Sequence, residues 1–391
     1  VRVLAITKIF PNAAEPLSAP FNRQQFAALA RLCELEVLAT IPWFPGAGLM
    51  SRWSTAGRLA KVPAHETIEG ISVAHPRTLF LPRLAHATWG PLYAASLAPQ
   101  LHRYRGKADV VLGSWAYPDG FAAVIAARLL GIPCVVKLHG SDVNVIAKMP
   151  GPRRLSKWAL PRARRVVAVS RPLGDEIVAL GVPRDHVRIV MNGVDADLFH
   201  PRDRAAARRE LGLPVDAAIA LYVGNLKPEK GIVELATAWP TVARGVRGAR
   251  LEVLGGGPLK QSIEEKLAGE PTATVHGPKP LPDIPTWMAA CDVLVLPSHV
   301  EGTPNVVLEA LASGRRVVGT AVGGVPDLLT RPELGALVPP RDPAALADAI
   351  ATALRTPYDP AETARHGARG GWAASAKALH EVLVEATGAV A

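Results

Sequence analysis

Aromatic side chains make up only 5% of the 391 residues, too few for ring stacking to organise the protein. Three cysteines, Cys33, Cys134 and Cys291, lie far apart with no paired spacing. That excludes a disulfide scaffold and a cysteine-rich zinc site. Each has apolar or small neighbours, the setting of a buried thiol in a reducing compartment. No run approaches the ~20 uncharged apolar residues of a membrane span. The opening Val1–Thr7 stretch is too short for the core of a leader and reads as a strand. A Walker lysine loop and a dinucleotide glycine fingerprint are both missing. These absences point to a protein of the cytoplasm, held at most at the inner face of the membrane.

What is present is core-forming material. Apolar residues are 49% of the chain and charged residues 20%, so wholesale disorder is excluded and two domains of similar size are expected. The net charge of +10 is uneven. Residues 1–197 hold 24 Lys and Arg against 13 Asp and Glu, whereas residues 198–391 hold 20 against 21. The densest cations are Arg153, Arg154, Lys157, Arg162, Arg164 and Arg165, around Trp158. Such a cluster attracts phosphates of nucleic acid, acidic lipid or an anionic substrate, and is equally an ordinary solvated face. A nucleic-acid module would add a motif or an aromatic platform, and neither is found, so no nucleic-acid partner is expected.

Short apolar runs alternate with helix-length segments. Val110–Gly113, Gly120–Leu130 and Cys134–Leu138 read as strand, helix and strand, and Ala218–Gly224, Gly231–Ala243 and Arg250–Gly255 repeat the style. Val- and Ile-rich runs without alternation suit strands covered on both faces, as in parallel βαβ sheets. Residues 41–65 and 76–107 look irregular, and the pattern breaks again around 196–215. Two doubly wound domains facing each other would leave a cleft lined by loops at the carboxyl ends of the strands.

The segment Pro297–Gly314 carries the strongest signal. A buried strand ends at Pro297, Thr303 suits a helix N-cap and Pro304 the first helical position. The free backbone N–H groups where this helix opens make a ready site for a phosphate. Glu301 in the loop can bond sugar hydroxyls, and Glu309, about a turn into the helix, can take a ribose diol. A second glycine turn, Gly323-Gly324 before Pro326, would add amides beside the first. In Gly224-Asn225-Leu226-Lys227-Pro228-Glu229-Lys230-Gly231, Lys230 is placed to approach a diphosphate. Leu254-Gly255-Gly256-Gly257-Pro258 is a strand entering a turn. In the first half, Lys137-Leu138-His139-Gly140-Ser141-Asp142 leaves a strand directly into a polar loop. His139 there can bond a sugar hydroxyl or a phosphate, or simply cap the strand end.

Taken in order, these pieces resemble the retaining, nucleotide-sugar-dependent glycosyltransferases of family four. Glu301 and Glu309 match the family's two glutamates separated by seven residues, and the loop ending Lys230-Gly231 matches its glycine–basic–lysine loop. The His139 stretch, Asn192-Gly193-Val194-Asp195 and Gly255-Gly256-Gly257-Pro258 fall in the family's order. The look is closest to its exopolysaccharide and teichuronic-acid branch. The resemblance implies an α/β protein with the GT-B fold, two facing Rossmann-like doubly wound domains with a cleft between them. An acceptor-binding domain would span 1–197, a nucleotide-sugar domain 198–370, and a final helix in 371–391 would cross back to the first.

The resemblance also implies roles. His139, Lys230 and Glu301 would act in catalysis: His139 touching the donor from the opposite domain, Lys230 neutralising the diphosphate, Glu301 holding the sugar. Asn225, Gly302, Thr303, Pro304, Asn305 and Glu309 would bind the donor, with Gly277 and Pro278 near its base. The family usually has arginine at the place of Asn225, and glycine at that of Ala19 or Pro20 in the acceptor or phosphate loop. The partners implied are a nucleotide diphosphate sugar and a glycan or lipid-linked acceptor of cell-envelope polysaccharide synthesis. No cofactor is expected. With no Asp-x-Asp metal motif read anywhere in the chain, no catalytic metal is expected either. Two rivals stand beside this reading: a sugar-nucleotide epimerase of the same architecture, and a non-catalytic basic protein binding membrane surfaces or nucleic acid.

Overall fold

The computed structural model describes residues 1–16, 18–46, 55–79, 86–140, 142–143, 149–367 and 370–388. The chain divides into two units, Val1–Asn192 with Trp372–Ala391, and Gly193–Gly371. The division falls at Asn192/Gly193, where the sequence reading had 197/198.

The first unit is built on an eight-stranded sheet. Its strands are β1 (Arg2–Thr7), β2 (Glu34–Ala39), β4 (His65–Ile68), β5 (Ile71–Ala74), β7 (Val110–Ser114), β8 (Cys134–Leu138), β9 (Arg165–Ala168) and β10 (Val187–Ile189). They run in the order β10-β9-β8-β7-β1-β2-β5-β4, parallel except for β4. The β4–β5 hairpin turns through Glu69 and Gly70, both at positive φ, the backbone a two-residue hairpin requires. A parallel ribbon of β3 (Ile41–Trp43) and β6 (Arg77–Leu79) stands apart.

Alternation along β1 separates two cores. Leu4 and Ile6 join Val111, Val136 and Val166 under helices Trp89–Leu101, Phe121–Leu130 and Arg171–Ala179. Val3 and Ala5 join Phe26 and Leu29 of helix Pro20–Leu29, and Ala376, Leu379 and Leu383 of the last helix, Gly371–Thr387. The last helix thus packs on the first unit's sheet, on the same face as Pro20–Leu29. Glu385 fastens it, pairing with Arg188 at 2.5 Å and Arg165 at 2.8 Å.

The second unit is a fully parallel sheet of β11 (Ala218–Val223), β12 (Ala249–Leu254), β13 (Ala273–Gly277), β14 (Val293–Leu296), β15 (Arg316–Thr320) and β16 (Gly335–Val338). Its order is β13-β12-β11-β14-β15-β16. The chain winds outward from β11 on one side, then restarts beside it with β14, as in a Rossmann sheet. Trp239, from helix Ile232–Gly245, is completely buried and donates its indole N–H to Thr272 at 2.9 Å. Burying such a side chain stabilises the fold by about 2–3 kcal/mol.

Three readings need correction. The described residues of 76–107 are not irregular throughout: they hold β6 and the 13-residue helix Trp89–Leu101. Pro91 in its first turn and Pro99 near its end disguise that helix; Pro91 is tolerated because its missing N–H would find no helical partner, whereas Pro99 forgoes one bond in the last turn. Residues 41–65 likewise contain β3 and the short helix Thr55–Leu59. Of the cysteines, Cys134 and Cys291 are buried, but Cys33 is half-buried.

Candidate functional site

In the second unit the switch point lies between β11 and β14, where loops after adjacent strands diverge and backbone groups stay open to a ligand. The loop after β11 ends in Lys230-Gly231, and the loop after β14 carries Glu301. Gly231 sits at φ +64, and a Cβ there would collide with the Pro297 carbonyl oxygen. Only glycine therefore lets the two loops close. The His299 amide donates to the Glu229 carbonyl at 2.9 Å, completing the seam.

Across it, Lys230 Nζ lies 2.6 Å from Glu301 Oε1, and the Ser298 hydroxyl donates to the same oxygen at 2.7 Å. The Glu301 side chain is 8% exposed and that of Lys230 30%. Sequence reasoning gave these two residues separate duties; the structure joins them. The lysine is held where a diphosphate could take over part of its charge, and the carboxylate is held by a serine that stays with it.

The glycine turn after β15 backs this loop. Gly324 donates its amide to the Gly302 carbonyl at 2.7 Å, and Gly323, at φ +50, lies where a Cβ would strike the Glu301 carbonyl. Helix Asn305–Ala312 opens directly after. Its N-cap is Pro304 at φ −74, ψ 110, and no side chain caps it. The expectation of Thr303 as N-cap with Pro304 inside the helix is thereby corrected. Pro304 keeps an extended ψ, so the helical turn starts one residue later. The positive end of the helix dipole is left without a capping side chain.

Glu309 lies on this helix, partly exposed, its carboxyl bonded to no described residue. Desolvation pushes that carboxyl up to about 7. Asn225 uses its carbonyl to accept from the Tyr222 hydroxyl at 3.0 Å. Gly277 accepts from the Gly255 amide at 2.9 Å, joining the ends of β13 and β12, and Pro278 and Lys279 come after it exposed. Beneath them His276 meets the buried Glu252 at 2.6 Å and lies against Trp287, ring centroids 4.4 Å apart.

In the first unit, His139 leaves β8 and is buried between rings, its centroid 4.8 Å from Phe21 and 5.8 Å from Trp115. Its tautomer is set by its neighbours. Asn22 Nδ2 donates to the Ile9 carbonyl at 2.8 Å, which turns Asn22 Oδ1 toward the Ser114 hydroxyl, 3.1 Å away. Ser114 spends its proton there, so the 3.0 Å contact with His139 needs Nε2–H as donor. Burial and the nearby Lys137 keep the imidazole neutral, its pKa well below the usual range. Nδ1 is then an acceptor, suited to a hydroxyl and not to a phosphate.

Asp142 acts as a clasp: Oδ1 accepts the amides of His139 and Gly140, and Oδ2 that of Ala116. Ser141 lies outside the described residues. Ala19 has φ 44, ψ 58, the left-handed backbone that favours glycine, with Pro20 opening the next helix. The chain thus keeps a glycine-like turn without the glycine.

Sequence reasoning missed several members of this arrangement. Trp115, at φ 123, holds a strained backbone beside His139. The fully buried Lys137 bonds Gln25 and, at 3.5 Å, Asn192, and burial pushes its ammonium down to about 7. Gln25 continues to Ser375 at 2.9 Å, and Ser375 to the Met191 carbonyl at 2.6 Å. These residues are scattered along the chain, and no local pattern links them.

One Asp-x-Asp triplet, Asp195-Ala196-Asp197, was also passed over. Its Asp195 Oδ1 accepts the amides of Asp197 and Leu198, a local turn. Among the described residues there is no group of three or more metal-ligating side chains, and no helix is long and apolar enough to cross a membrane.

Known proteins share both the sequence pattern and the architecture. The family described as Glycosyl transferases group 1 matches residues 217–356, and Glycosyltransferase Family 4 matches 51–198. The teichuronic acid biosynthesis glycosyltransferase TuaC of Bacillus subtilis is 31% identical over 355 residues, covering 90% of this chain and 88% of its own. Sucrose-phosphate synthase from Thermosynechococcus elongatus superposes with a TM-score of 0.73 at 20% identity, covering 99% of this chain and 96% of its own. HepE of Anabaena in complex with UDP-glucose gives a TM-score of 0.65 at 19% identity, covering 99% and 95%.

Proposed function

The chain belongs to the group 1, family 4 glycosyltransferases and has the GT-B fold, and from that premise we propose that it moves a hexosyl group from a nucleotide diphosphate sugar to an acceptor hydroxyl with retention of configuration. The 2.6 Å pair of Lys230 and Glu301 at the β11/β14 switch point carries this reading. It puts a cation, a carboxylate and a helix N-terminus at the ligand-binding edge of a Rossmann sheet.

In the proposed reaction the bond between the sugar's anomeric carbon and the diphosphate oxygen breaks, and its electron pair stays with the diphosphate. The acceptor oxygen bonds the same face of that carbon, and its proton passes to the departing oxygen. The burden on the protein is the charge that appears on the diphosphate. The dipole of helix Asn305–Ala312 is fixed in place to stabilise it, and Lys230 adds its charge once it turns from Glu301. Glu309 takes the ribose diol, Glu301 a sugar hydroxyl once Lys230 turns to phosphate, and His139 Nδ1 accepts from a sugar hydroxyl. Neutrality fits this duty, since a charged imidazole could not accept. HepE's complex with UDP-glucose supports a uridine donor by analogy of fold.

The acceptor proposed is a glycan or lipid-linked intermediate of the cell envelope, in keeping with the 31% likeness to a teichuronic acid enzyme. The work is placed in the cytoplasm at an acidic membrane surface. Arg153, Arg154, Lys157, Arg162 and Arg164 are exposed along Pro150–Arg164, with the Arg162 guanidinium 4.6 Å above the Trp158 ring. Thermal melting with UDP-, GDP- and ADP-sugars tests the donor: a nucleotide at 100 times its Kd adds about 2.7 kcal/mol of stability. No shift with any of them would remove the reading.

A further inference from the structure

The first sheet has its own switch point, between β1 and β7, and a cavity of about 210 Å³ opens near it. Its walls come from one unit: Pro42 and Leu79 of the β3–β6 ribbon, Trp89 and Tyr93 of helix Trp89–Leu101, and Pro118 after β7. Thr40 and Thr78 also line it, but their hydroxyls are already bonded. Thr40 donates to the Tyr93 hydroxyl at 2.6 Å, Tyr93 to Asp119 Oδ1 at 3.2 Å, and Thr78 to the Ile41 carbonyl at 3.3 Å. The walls therefore present rings, prolines and methyl groups.

Among the described residues one cation lines this cavity. Lys8 comes directly after β1 and is exposed; its amide donates to Asp119 Oδ1, which anchors it from beneath. Asp119 is completely buried, and its other oxygen, Oδ2, has no partner among the described residues. An apolar hollow with a lysine on its lining does not suit a bare sugar, whose hydroxyls would go unpaired inside. It suits an apolar chain whose head carries negative charge, in the half of the molecule that holds the surplus of cations.

We propose that this cavity seats the apolar stem of a lipid-linked acceptor, with Lys8 pairing the phosphate that joins stem to sugar. The inference rests on the transferase reading and names the acceptor class for it.

The test is calorimetric titration of the full chain with monomeric alkyl phosphates from butyl to decyl, beside inorganic phosphate, methyl glucoside and octanol. Each methylene entering the cavity is expected to tighten Kd about three- to fourfold, until the cavity is full. Leu79→Trp, which fills the hollow from a partly exposed position, should flatten the series. Lys8→Gln should erase a preference of tenfold or more for octyl phosphate over octanol. A series flat in the unmodified chain, methyl glucoside binding as well as octyl phosphate, or either variant binding like the parent would overturn the proposal. Binding of phosphatidylglycerol vesicles lost with Leu79→Trp would also overturn it, reassigning the cavity to a bilayer lipid. Melting with UDP is measured in parallel. A flat series with UDP stabilisation intact defeats this inference alone, whereas loss of all nucleotide binding defeats the transferase reading whatever the alkyl phosphates do.

Discussion

The two sheets solve the same topological problem with opposite materials. At the switch point of the second unit the chemistry sits in short contiguous loops, and its central contact is the partly exposed Lys230–Glu301 pair. Near that of the first unit it sits in buried chains of single hydrogen bonds, His139 to Ser114 to Asn22 and Lys137 to Gln25 to Ser375. A pair proposed to release its lysine to a ligand has to be cheap to break, and the partial exposure of the lysine makes it so. A group that must present one fixed tautomer has to be overdetermined, and burial among satisfied partners does that.

The hardest way to break this contrast is Lys230→Ala. Removing the only side-chain cation placed in the proposed transition state should lower kcat by about 10²–10³ with saturating donor. Near-parental turnover would mean that helix amides alone carry the diphosphate. In the first unit, the largest effect expected is on stability. Lys137→Ala should cost about 2–4 kcal/mol, since it opens a cavity and leaves buried Gln25 Oε1 without its donor. A denaturant melt measures it.

Lys137 also gives the comparison a pH signature. Its ammonium is pushed down to about 7 by burial, against an ordinary value of 10.5. Above pH 7 the folded chain sheds this proton while the unfolded chain keeps it, so unfolding must take a proton up. This group's contribution to stability therefore rises with pH between about 7 and 10.5, and its full burial penalty stands below 7. The melting temperature of the parent should climb by several degrees relative to Lys137→Met from pH 7 to 9.5. Parallel profiles would show that the lysine stays charged.

Glu309 is the counterpart in the second unit. With its carboxyl pushed up to about 7, it is protonated below that pH, where it becomes a poorer acceptor for a ribose diol. The donor KM should rise about tenfold from pH 8 to 6, and Glu309→Gln should flatten that dependence. A parental KM that is level with pH would separate Glu309 from the ribose.

The contrast also explains what could be read from the chain. Most strands of both sheets were legible, because uninterrupted Val, Ile and Leu runs mark doubly covered strands; the short strands β4, β5 and β16, at or next to a sheet edge, carry no such run and were not. The Pro297–Gly314 and Gly224–Gly231 loops were legible because glycine, proline and glutamate fall at fixed offsets in contiguous stretches of sequence. The Lys230–Glu301 contact was not, since each residue had a separate duty on paper and only the seam at Gly231 and Pro297 joins them. The His139 tautomer was out of reach for a stronger reason: it depends on Asn22 and Ser114, at unremarkable positions far away in the chain. Helix Trp89–Leu101 was hidden by its own prolines.

The smallest expected effect concerns a turn where the two ways of building a site meet. A loop that approaches a ligand closely would ordinarily carry glycine, but Ala19 adopts φ 44, ψ 58. The left-handed region costs a residue with a Cβ about 1–2 kcal/mol. The first turn of helix Pro20–Leu29 holds this conformation: the Ala19 carbonyl accepts the amides of Asn22 and Arg23 at 3.0 and 3.2 Å. Asn22 in turn fixes Ser114 and thus His139, so the strain at Ala19 is retained by the network that sets the tautomer. Ala19→Gly would relieve it, and the greater freedom of glycine in the unfolded chain would take back about 0.5–1 kcal/mol. The net gain should be about 0.5 kcal/mol, one or two degrees in melting temperature. A loss of stability in place of that gain would show that the Ala19 methyl makes a contact worth more than the strain, and that this loop is held by packing as the rest of the first unit is.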